Sequence, residues 1–122
     1  MLSIALLALL VGGPELSPGT TYDPKVPTIR TVLGYDHGAE ISTAEGIVTY
    51  FKALEAASGG RAKVVEYARS WEGRPLVAMF VGTQERIARL DAIGADMKKL
   101  ADPRGLSAGD ASAIMDRSPV VT

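Results

Sequence analysis

His37 is the chain's single histidine, and it stands in Tyr35-Asp36-His37-Gly38, so any metal or general-base chemistry at an imidazole has to be built around it. A catalytic zinc in a peptidase takes three protein ligands, typically two histidines and a glutamate, with a fourth position left for water. His37 with Asp36 beside it does not make that set, and a lone loop histidine reads as solvated. The string His37-Gly38-Ala39-Glu40 matches H-x-x-E by its letters. No apolar strand precedes it and no second histidine follows, so the match is read as chance. Ser70 has no basic partner at a known spacing, and with His37 alone a Ser-His-Asp triad cannot be argued.

Glu72 and Arg74 flank Gly73 and could hold a ligand carboxylate or pair with groups elsewhere in a larger domain. The plainer reading is preferred: Gly73 supplies backbone freedom, Pro75 restricts entry into the next strand, and the charges stay solvated. Trp71 and Tyr67 could form a sugar or peptide platform, but aromatics at a strand end are more often packing groups. The glycines at 12–13 and 59–60 match neither a phosphate loop nor a dinucleotide fingerprint. Lys98-Lys99 reads as a solvated helix end. The sequence therefore assigns no catalytic, cofactor-binding or metal-ligating residue.

The elements that would position these groups sit in a chain of 122 residues, 47% apolar and 22% charged, which suits one modest globular domain with a small core. Thirteen basic and fourteen acidic residues leave a net charge of −1, with no basic block to follow a phosphate backbone, which argues against nucleic acid as a partner. The absence of cysteine excludes disulfides, thiolate metal sites and cysteine nucleophiles. Ile4-Ala5-Leu6-Leu7-Ala8-Leu9-Leu10-Val11, followed by Gly12, Gly13 and Pro14, resembles a signal-peptide core with its breaker and is too short to span a bilayer. No Lys or Arg precedes it and no A-x-A site is obvious, so a buried strand or short helix is the alternative. Residues 1–20 are thus expected to be an apolar leader, and the product to be secreted or periplasmic.

Pro14, Pro18, Pro24 and Pro27 make the next stretch a linker, and 21–41 an extended arm in which Pro27 to Tyr35 holds a short helical turn ending at Gly34. Ser42 is expected to cap a helix running to about Ala57, with Glu45 closing a capping box. Ile47, Tyr50, Phe51 and Leu54 would be its apolar face, with Lys52 and Glu55 toward water. Lys63 to Tyr67 and Leu76 to Val81 read as two strands of an antiparallel hairpin, the second buried on both faces. Thr83 should cap one helix over 84–100, with Ile87, Leu90, Ile93, Met97 and Leu100 inward, Gly94 weakening it by about 1 kcal/mol, and Asp102-Pro103 stopping it. A last helix opens at Ser107, carries Ala111, Ile114 and Met115 inward, and gives way to a strand at Pro119-Val120-Val121-Thr122.

Ser70-Trp71-Glu72-Gly73-Arg74-Pro75-Leu76 resembles the S-x-E-G-R-x-L turn near the start of zinc metallocarboxypeptidase domains of the carboxypeptidase A/B-like (M14) type. Leu33-Gly34-Tyr35 with Gly38, the helix at Ser42, Leu100-Ala101-Asp102-Pro103-Arg104 and the Ser107 helix follow in that family's order, resembling a large secreted bacterial branch. The resemblance implies an α/β fold: residues 42–122 as the N-terminal portion of a mixed-sheet α/β/α domain, with hairpin, helices and the start of a core strand. It implies a zinc-dependent enzyme acting on C-terminal residues of a peptide or protein, through a metal-polarised water, a glutamate base and an arginine that grips the terminal carboxylate. In the family the His-x-x-Glu pair follows the strand here begun at Pro119, so those groups are expected beyond Thr122, and the chain is expected to bind no zinc and to be inactive by itself. A small secreted α/β module that binds peptides without catalysis is the alternative.

Overall fold

The computed structural model describes residue 17 and residues 19–118, so the apolar run at 4–11 and the strand expected at 119–122 lie outside the described residues. Its elements run α1 (Ile29–Leu33), α2 (Ala44–Ala57), β1 (Ala62–Arg69), β2 (Pro75–Val81), α3 (Gln84–Ala88), α4 (Leu90–Ala101) and α5 (Ala108–Arg117), a mixed α/β set. The chain falls into two units, Met1–Ala57 and Ser58–Thr122.

In the first unit Thr28 caps α1 by accepting the Thr31 N–H, and Gly34 ends it at φ 88°, a left-handed conformation that glycine adopts without a Cβ clash. The cap of α2 is Thr43, whose hydroxyl accepts the Gly46 N–H at 3.0 Å. This corrects the expectation of Ser42, and it puts Glu45 one position too early for a capping box. Ser42 is otherwise engaged: its hydroxyl accepts a 2.7 Å bond from the Tyr35 phenol. α1 and α2 contact each other, with the Leu33 side chain lying against Gly46. The Tyr50 hydroxyl donates to the Pro27 carbonyl at 3.3 Å. Tyr50, Phe51 and Leu54 are half-buried as expected, whereas Ile47 is 41% exposed and Glu55 is half-buried, so the packed stripe is rotated from the predicted one.

In the second unit the Ser58 hydroxyl accepts the Ala62 N–H at 3.0 Å, and Gly59 and Gly60 turn the chain into β1. β1 and β2 form a two-stranded antiparallel sheet, with Ala62 opposite Val81 and Arg69 opposite Pro75, and a bulge between Glu66 and Ala68. β2 is not buried on both faces. Leu76 and Phe80 on one face and Val81 on the other are exposed, so apolar side chains of both faces reach water.

Thr83 caps α3 as expected, but the helix predicted over 84–100 is two. At Arg89 (φ −101°, ψ 12°) the N–H bonds back three residues to the Arg86 carbonyl, tightening the last turn of α3. The break has a packing reason, since α3 contacts β1 while α4 contacts α5. α4 ends at Asp102 and α5 opens at Ser107, whose hydroxyl accepts the Asp110 N–H. Ile93 and Ile114 are buried between α4 and α5, with Met97, Leu100 and Ala111 half-buried; Met115, expected inward, is 55% exposed. It stands one residue past Ile114 on a helix whose single contact stripe that residue already occupies. Among the described residues no helix is long and apolar enough to cross a membrane.

Candidate functional site

The hairpin turn is where the sequence concentrates its distinctive residues, and its geometry starts from the backbone. Gly73 N–H donates to the Ser70 carbonyl and Ser70 N–H donates to the Arg74 carbonyl, both at 2.9 Å, closing a short loop over Trp71, Glu72 and Gly73. Gly73 sits at φ 77°, the left-handed position such a three-residue loop demands. The Ser70 hydroxyl accepts the Arg74 N–H at 3.1 Å, so this serine is a turn brace.

The charges of the turn satisfy one another. Arg74 lies 3.2 Å from Glu72, and Arg69 holds Glu66 at 2.8 Å while donating to the Gly73 carbonyl at 3.0 Å. All four side chains are largely exposed, so each pair is screened and worth little. A ligand carboxylate at Arg74 would have to displace Glu72. Trp71 at the loop apex is fully exposed and Tyr67, the bulged residue, is 66% exposed, so neither packs as the sequence suggested. Aromatic surface is presented to solvent here, with balanced charge around it.

His37 lies half-buried in a turn, and Glu40 three residues on is exposed. Asp36, the carboxylate beside His37, is committed to Arg30 through a bidentate contact that includes a 2.7 Å bond from Nε. That hydrogen bonding holds the Asp36 carboxyl below its ordinary range, ahead of the opposing effect of burial. Among the described residues no three His, Cys, Asp or Glu side chains come together in a way that could hold a metal ion. One imidazole next to an arginine-bound carboxylate is a donor set that does not fit a catalytic zinc.

The polar cluster that sequence reasoning missed lies between α4 and α5. Asp96, 7% exposed, accepts bonds of 2.8 and 2.7 Å from Arg117 Nε and Nη2, and 2.8 Å from the hydroxyl of fully buried Ser118; Lys99 stands 3.9 Å away. The bonds from Arg117 and then Ser118 hold the Asp96 carboxyl far below the usual carboxylate range, although burial pushes the other way. The Arg117 guanidinium is raised by the same contact. The available signal was spacing: Asp96 follows Ile93 by three residues and falls on the inner stripe with Met97 and Leu100. The cluster is closed on itself, with every buried side-chain polar atom described having a partner, and it does structural work by joining two helices.

Set against protein-family models, curated proteins and solved structures, the chain has no match to any of the three, and its functional reading rests on its own residues and geometry.

Proposed function

We propose that the chain is the opening segment of a zinc metallocarboxypeptidase-type domain, scaffolding for an enzyme that removes C-terminal residues from peptides or proteins, with the zinc ligands and glutamate base carried by sequence beyond Thr122. The observation that supports this best is the hairpin: the residues matching S-x-E-G-R-x-L make the closed turn between two antiparallel strands, where a fold landmark belongs. The exposed apolar side chains of β2 support it as well, since helices packed on the faces of a larger α/β/α sheet would cover them. In the parent enzyme zinc would polarise the attacking water, and the residues described here would position the sheet. Export is proposed on the apolar run at 4–11 alone.

A second reading, a small secreted peptide-binding module, is favoured by one observation, the solvent-facing Trp71 and Tyr67 at the hairpin tip. Translating the DNA past the codon for Thr122 separates the two. A short apolar strand followed by H-G-x-E is the result expected for the segment reading, and a stop codon with no frameshift would favour the module. For the 122-residue protein itself, zinc retained after dialysis should be no greater than for His37→Ala. Stoichiometric, His37-dependent zinc with exopeptidase turnover would overturn the proposal.

A further inference from the structure

The apolar contact between α4 and α5 does not by itself define one alignment of the two helices. α4 presents Ile93, Met97 and Leu100 at successive turns of its inner stripe, and α5 answers with Ala111 and Ile114. Of these only Ile93 and Ile114 are buried, and the rest are half-buried. Side chains at threes and fours form ridges that repeat every turn. A slide of one helical turn, about 5.4 Å, would therefore carry Ile114 along the stripe to the next apolar side chain with little change in the apolar surface covered.

The polar contact is less forgiving. Arg117 donates to the two oxygens of Asp96 from Nε at 2.8 Å and from Nη2 at 2.7 Å, a bidentate fork that tolerates little displacement, and the Ser118 hydroxyl adds a third bond of 2.8 Å to the same carboxylate. Ser118 is the C-cap of α5, with its N–H donated to the Ile114 carbonyl, so Asp96 also holds the point at which the chain leaves that helix. After a one-turn slide Arg117 and Ser118 would be out of reach of Asp96, which is 7% exposed, and a carboxylate would be left buried without either of them. Lys99 stands 3.9 Å away with 60% of its side chain exposed, and it lacks the planar fork that both oxygens accept.

We propose that Asp96, Arg117 and Ser118 form a register lock: their contact selects one alignment of α4 and α5 from those the repeating apolar stripe permits, and it acts on the uniqueness of the packing more than on net stability. Taking a carboxylate and a guanidinium out of water cancels much of what their attraction gives, whereas losing one partner alone leaves a buried charge. Apolar replacement of all three side chains at once thus keeps the helices together and releases the choice of register. All three residues lie in Ser58–Thr122, and their role there does not depend on the metallopeptidase reading.

The native chain and the combined variant Asp96→Leu, Arg117→Met and Ser118→Ala separate the two roles. The triple variant should keep the native helical circular dichroism and a thermal midpoint no lower than the native one. Its α4 and α5 amides should nevertheless each give more than one resonance, or broaden, in a two-dimensional NMR spectrum, where the native chain gives one sharp resonance per amide. Asp96→Ala, which removes one partner only, should unfold well below the triple variant. One sharp resonance per amide in the triple variant would overturn the proposal, because the apolar stripe would then suffice to set the alignment; native α4 and α5 amides that are themselves doubled would overturn it too. So would a triple variant that fails to fold or unfolds as low as Asp96→Ala, since the contact would then supply stability and not choice.

Discussion

At the hairpin turn Glu72 and Arg74 meet at 3.2 Å with most of each side chain in water, whereas between α4 and α5 Asp96 meets Arg117 at 2.7 Å with the Asp96 side chain only 11% exposed. The chemistry of the two pairs is the same and their consequences differ. In the turn the backbone bonds of Ser70, Gly73 and Arg74 set the geometry and the charges decorate it. Between the helices the carboxylate is itself the joint, collecting Arg117 and the buried Ser118 hydroxyl. The most recognisable stretch of sequence is thus the most solvated, and the best-packed polar group sits where no motif marks it.

The comparison is broken or sharpened by substitution. Asp96→Ala should cost the most, because it strands the Arg117 guanidinium and the Ser118 hydroxyl together; a thermal midpoint no lower than that of Glu72→Ala would erase the distinction. The same carboxylate shapes the acid response. Its folded pKa is depressed, so its contribution is complete above the unfolded value of about 3.9 and is lost as pH falls from there toward the folded value. Urea midpoints should fall below about pH 4 in the native protein, and that part of the fall should be absent in Asp96→Asn.

Ile114→Ala, at a side chain 2% exposed, should cost about 2–4 kcal/mol in chemical denaturation by opening a cavity against α4. On the hairpin side the backbone is the sensitive part: Gly73→Ala forces a Cβ into the left-handed region and should cost about 1–2 kcal/mol, read by the same denaturation. Glu72→Ala should be the mildest, within about 0.5 kcal/mol, and 1 M salt should alter the native protein at this site no more than the substitution does.

Much of the architecture was legible because local signals carry it. Gly73 between two apolar β-type runs announced the hairpin, and Ile93, Met97 and Leu100 at threes and fours announced the inner stripe of α4. What escaped depends on partners distant in sequence or on choices between neighbours. Asp96 reads as a solvent residue until Arg117 arrives from another helix. Ser42 and Thr43 are adjacent hydroxyls, and the one that caps α2 was decided by Tyr35 claiming the other. The burial expected for β2 was an inference from its unbroken apolar run, which a two-stranded sheet does not deliver. As for a site, the sequence assigned no functional residue, and the turn residues that drew attention prove to be paired among themselves.

The joint at Arg89 bears on how this half of the molecule opens. A fluctuation that lifts the hairpin need take only the five residues of α3 with it, since α4 answers to α5 instead. Deuterium labelling of backbone amides should then find α3 exchanging in step with the strands and α4 in step with α5, two cooperative parts within what the sequence presents as one amphipathic segment.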